Sequence, residues 1–134
     1  MNGMSLALFA SLMTISGSVL AADYASKNLV IQATPSSEGT VLIDGKPFYE
    51  KTFNVVVFSK IKEPIKLTGF VGCYKAFDEK GNEFEERLVQ ADLLGTLKEG
   101  AKEGEVSFTS NDDSVYNAKF VKWSSNCPNI AKSK

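Results

Sequence analysis

The chain has 134 residues, 43% of them hydrophobic, with 15 basic and 16 acidic side chains and a formal charge of −1. A balance this close to neutral argues against nucleic acid or an anionic membrane as the main partner, because both require a basic patch. There is no histidine, which removes His-based triads, His-metal sites and the commonest general acid–base group.

From Met4 to Ala22 the chain is apolar or small, and no charged side chain precedes Asp23. A run of this kind ending Val19-Leu20-Ala21-Ala22 has the apolar core and small-residue exit of a secretory signal peptide. Cleavage after Ala21 or Ala22 fits, although no Lys or Arg precedes the core. The alternative, an uncleaved anchor, is disfavoured because Ser5, Ser11, Thr14, Ser16, Gly17 and Ser18 dilute the hydrophobicity. The expectation is therefore a signal peptide over residues 1–22 and one domain over residues 23–134. That domain would be periplasmic or secreted and free of the membrane after cleavage.

Asn28 to Thr34 reads as a β-branched strand stopped by Pro35, followed by a polar turn at Ser36–Gly39 and a second strand at Thr40–Ile43. Asp44-Gly45 between apolar runs is a strong hairpin signal, because both positions need φ > 0. Phe48 to Ser59 reads as a strand apolar on both faces around Phe53–Phe58. After Pro64, Ile65–Phe77 reads as one long strand, with Gly69 and Gly72 marking a bulge or a close backbone approach. Asp78–Asn82 is a turn and Glu83–Val89 a strand, with a helix over Phe84–Leu94 as the alternative. Leu93–Leu97 is short and apolar, Lys98–Gly104 a charged turn, and Glu105–Thr109 a half-buried strand. A turn at Asn111–Ser114 leads to the last strand, Val115–Trp123. About seven short strands at this spacing are the signature of a β-sandwich or barrel.

Cys73 and Cys127 are the only cysteines. In an oxidising compartment two thiols form one bridge more often than they stay free. A Cys73–Cys127 disulfide would pin the segment after the last strand to a central one.

With both cysteines bridged, thiolate catalysis and Cys-rich metal sites fall away, and no phosphate-binding glycine loop is present. Glu83 and Glu85 would share a strand face and are the carboxylate pair a glycoside hydrolase would need, but a solvated edge is the simpler use. Asp78 with Asn82 and Glu83, and Asn111-Asp112-Asp113, offer oxygens to calcium, yet they read more simply as turns. The expectation is no catalytic residue, no metal and no cofactor. Phe70 and Tyr74, if exposed together, would mark a candidate binding surface, although burial in the core is the simpler reading of such aromatics.

Two stretches carry a resemblance. One is Cys73-Tyr74-Lys75-Ala76-Phe77-Asp78, then Gly81 and Phe84. The other runs Leu94-Gly95-Thr96-Leu97-Lys98, Gly100, Gly104, Val106 and Phe108, then Val115-Tyr116, Ala118 and Phe120-Val121-Lys122 to Cys127. Together they resemble a domain-of-unknown-function family of small secreted bacterial proteins with an immunoglobulin-like β-sandwich. The resemblance implies that fold and export, and carries no active-site residues. The expected protein is all-β, an immunoglobulin-like antiparallel β-sandwich of about seven strands preceded by a signal peptide. Its expected function is non-enzymatic binding of an unknown protein or cell-surface partner, through a sheet edge or aromatic patch. The alternatives are an inhibitor of a secreted hydrolase, using a loop near Lys98–Gly104, and the Glu83/Glu85 hydrolase.

Overall fold

The structure is a computed structural model that describes residues 25–127; the leader expected over residues 1–22 lies outside them. The described residues are all-β. In chain order the strands are β1 (Leu29–Ile43), β2 (Lys46–Ser59), β3 (Ile65–Leu67), β4 (Cys73–Phe77), β5 (Glu83–Val89), β6 (Gly95–Leu97), β7 (Ala101–Ser110) and β8 (Phe120–Ser124). Short 3₁₀ turns occupy Ala91–Leu93 and Asp113–Asn117. Six strands form one antiparallel sheet in the order β1-β2-β7-β5-β4-β8, while β3 and β6 pair as a second, two-stranded sheet. The large sheet curls, so that its edge strands β1 and β8 approach within 8 Å between Cα atoms.

The Asp44-Gly45 hairpin forms as expected, with both residues at positive φ (52° and 79°) and Ile43 opposite Lys46. Pro35 does not end the first strand. β1 is an edge strand, where a missing N–H is tolerated, and a register shift between Pro35 and Ser37 absorbs the misfit. The turn expected at Ser36–Gly39 is thus part of β1. The long strand expected over Ile65–Phe77 divides into β3 and β4, because Val71 and Gly72 both donate their N–H to Thr68 O in a tight turn. Gly72 is where the close approach occurs: a Cβ there would lie 2.5 Å from the Trp123 indole nitrogen. Glu83–Val89 is a strand and not part of a helix. The charged turn shrinks to Lys98–Gly100, since residues 101–104 pair with β2. The last strand starts late because Asp112 Oδ1 accepts from Ser114 N–H at 3.0 Å and caps a 3₁₀ turn instead.

One core joins both sheets. It takes Phe53, Val55 and Val57 from β2, Tyr74 and Ala76 from β4, Val106 and Phe108 from β7, and Val121 and Trp123 from β8. Ile65, Leu67 and Leu97 close it from the small sheet. The period of two is plain in β2, whose other face leaves Asn54 and Phe58 exposed, so that strand is buried on one face only. Each large apolar side chain removed from water here contributes about 1.5–3 kcal/mol.

Candidate functional site

The feature that sets this surface apart is the seam between the two sheet edges. A groove of about 470 Å³ lies there, within the range of about 300–1,000 Å³ usual for ligand sites. Its two walls differ in kind. From β1 only alternate residues line it, Leu29, Ile31 and Ala33, so that wall is one side-chain face. From the β8 side every residue from Lys119 to Trp123 lines it, so that wall is a strand edge. Among the described residues no strand pairs with the outer edge of either β1 or β8. Phe120 on the rim is 49% exposed.

The aromatic pair singled out from the sequence does not make a surface. Phe70 is 71% exposed in the turn before β4, whereas Tyr74 is fully buried. Tyr74 faces the core because its hydroxyl donates to Leu93 O at 2.7 Å and its ring packs edge-on against Trp123 at 5.0 Å. Cys73 and Cys127 form the expected disulfide, which ties the residues after β8 to the first residue of β4. The loop expected to protrude near Lys98–Gly104 is mostly strand. The projecting element is instead the β1–β2 hairpin beyond the Tyr49–Ser110 pair, where Leu42 is 71% exposed.

The carboxylates have other employment. Glu83 and Glu85 hold one buried ammonium, that of Lys75, at 2.7 and 3.2 Å, and neither lines the seam. Burial pulls the Lys75 ammonium downward, but the hydrogen bonds and charges of the two glutamates outweigh it and hold its pKa above the usual lysine value. Asp78 is consumed by its own turn: Oδ1 accepts from Lys80 and Asn82 N–H, both at 2.9 Å, and Oδ2 from Asn82 Nδ2 at 2.8 Å. Those bonds, led by the Asn82 side chain, hold its carboxyl below the usual range. Among the described residues no group of three or more Cys, Asp and Glu side chains is placed to hold a metal ion.

Two further polar residues are spent on buried backbone groups. Lys51 is buried on β2 and donates to Tyr116 O at 2.9 Å and Ala118 O at 2.8 Å. Glu86 points inward from β5 and accepts the Tyr74 N–H at 2.7 Å. The β4–β5 ladder stops at the Lys75–Glu85 pair, one residue short of Tyr74, and the Glu86 side chain takes the N–H left over. Burial raises the Glu86 carboxyl above its ordinary value; the Tyr74 N–H works against this and the Glu85 charge adds to it. A raised folded-state value means that protonation favours the fold, so the stability tied to this group is lost as pH rises through that value. Glu86→Gln keeps an acceptor for Tyr74 and removes the charge. It should stabilise the protein at pH 7, a gain that fades as pH falls and the Glu86 carboxylate takes up its proton. Urea denaturation of both proteins as the pH is lowered checks it.

A family described as a domain of unknown function (DUF4354) matches residues 1–125. The chain belongs to this family. The solved structure of an ApaG protein from Pseudomonas aeruginosa PAO1 is similar to this DUF4354 chain, with 31% identity and a TM-score of 0.68. The likeness covers 75% of the DUF4354 chain and 97% of that one. No curated protein matches it.

Proposed function

We propose that this DUF4354 protein is an exported, non-enzymatic binding module that seats a protein or cell-surface partner along the groove between β1 and β8. The observation that carries this is the uncovered β8 strand edge facing the apolar side chains of β1 across the groove. Exposed strand edges are the standard docking points for extended polypeptide. Export is supported by the apolar run before Asp23 and by a disulfide of a kind that persists outside the cytoplasm. The finer fold reading, an immunoglobulin-like sandwich, is supported by two antiparallel sheets that share a single core. Nucleic acid and membrane are not the partners in this reading, since the charge is −1.

The test combines mass and crosslinking on the protein as exported. Its mass should lack the first 21 or 22 residues, with no thiol reactive before reduction. A photo-crosslinking residue placed at Ala33 or Phe120 should give a discrete adduct. The same residue at Leu88, exposed in mid-sheet on β5, should give none. A full-length chain with two free thiols would end the export reading. Equal labelling from Leu88, or no adduct from the groove, would end the binding reading.

A further inference from the structure

The β8 wall of the groove has a chemistry that can be worked out from the ladder beside it. Tyr74 turns its N–H toward β5, where Glu86 accepts it. Backbone groups alternate along a strand, so Cys73, Lys75 and Phe77 turn theirs toward β8, opposite Ser124, Lys122 and Phe120. The bond from Lys119 N–H to Phe77 O at 2.8 Å fits the same side. Val121 and Trp123 are the residues left over. Their N–H and C=O groups face the groove, while their side chains face the core.

The edge of β1 is a poor acceptor by comparison, because Pro35 has no N–H and the register shift beside it breaks the ladder. What β1 offers is the uncharged face of Leu29, Ile31 and Ala33. The charges lie on the other side: Lys119, paired with Glu79 at 3.2 Å, and Lys122 flank the β8 edge, and Phe120 to Cys127 contains no acidic residue. The Lys122 ammonium sits over the Phe77 ring at 5.3 Å, with no carboxylate in ion-pair range among the described residues. Lysines on a short edge strand repel a second copy of the same edge. Lys122 attracts an edge of opposite sign.

We propose that the β8 edge accepts an added strand from an acidic partner, a short extended segment in which apolar residues alternate with carboxylates. Its backbone pairs with Val121 and Trp123. Its apolar residues pack inward against Leu29, Ile31 and Ala33, and its carboxylates face outward beside Lys122. β1 and β8 approach within 8 Å, less than the roughly 9.6 Å that any strand between them needs, so the seam widens as the strand enters. The added strand is laddered to β8 alone, because β1 turns a side-chain face to the groove. This rests on the groove being the binding surface and adds the chemistry of what binds.

The test uses the purified chain with its disulfide intact and three short capped peptides: alternating valine and glutamate, alternating valine and lysine, and the glutamate peptide with a central proline. Amide NMR with hydrogen exchange reads the site, and fluorescence of Trp123, the single tryptophan, reads affinity. The glutamate peptide should shift and protect the Val121 and Trp123 amides, the proline peptide should not bind, and Lys122→Glu should weaken binding about tenfold. No change on β8 with about 1 mM glutamate peptide, or equal binding of the proline peptide, overturns the proposal. Binding of the lysine peptide at β8 in its place would overturn the acidic partner but leave the groove reading standing. Failure of every peptide together with no groove crosslink would take both down.

Discussion

Serine at both Cys73 and Cys127 is expected to lower stability by about 4 kcal/mol, the chain-entropy value for closing a loop of this length. The bridge spans a sequence separation of 54 residues, so the unfolded chain loses much of its freedom while it is intact. For a domain of this size the loss corresponds to a fall of roughly 15–20 °C in Tm. Thermal unfolding followed by circular dichroism, with and without reductant for the parent chain, measures it. The change also has a location. Cys127 follows an edge strand held on one side only, by β4, so exchange of the Phe120–Ser124 amides should rise before that of β2 or β7. A Tm within a few degrees of the parent would mean that the unfolded state is already compact and that the loop argument fails here.

Lys51→Met should cost about 3 kcal/mol, more than its single ion pair could explain. Its partner Glu38 lies 3.6 Å away and is about half exposed, a contact worth under about 1 kcal/mol. The larger share comes from Tyr116 O and Ala118 O, the carbonyls at the end of the 3₁₀ turn, which lose their shared donor inside the protein. Lys51 thereby fastens the crossover between β7 and β8 to the middle of β2, and its ammonium lies 5.3 Å from the Phe53 ring. Glu38→Gln, measured beside it by urea denaturation, should change stability by less than about 0.5 kcal/mol. If the two substitutions cost the same, the ion pair and not the carbonyls holds Lys51 in place.

Local chemistry was readable from the sequence and long-range order was not. Asp44-Gly45 declared its hairpin because positive φ is a property of those two residues alone. The Asp78–Asn82 turn was visible for a similar reason, since the carboxylate bonds the backbone two and four residues on. Pro35 misled, because its effect depends on whether β1 is an edge or an interior strand, and strand order is set by residues far away. Whether Tyr74 faces the core or the surface is open in the sequence for the same reason. Its burial depends on Leu93 and Trp123, 19 and 49 positions along the chain. The groove was hardest to see, since it exists only once β1 and β8 are known to be the two ends of one curled sheet. Two quiet signals pointed that way: the uncharged run from Leu29 to Ser37, and a β8 segment whose only charges are lysines.

The length of β1 gives the molecule a polarity. Ser26, Leu29 and Trp123 line one groove, so both described ends of the chain sit at the same pole. From Leu29 the strand runs 15 residues to Ile43, with one register shift between Pro35 and Ser37, a reach of roughly 45 Å. A reporter attached at either end would therefore crowd the groove, whereas one at Leu42 would leave it clear and sample a different neighbourhood.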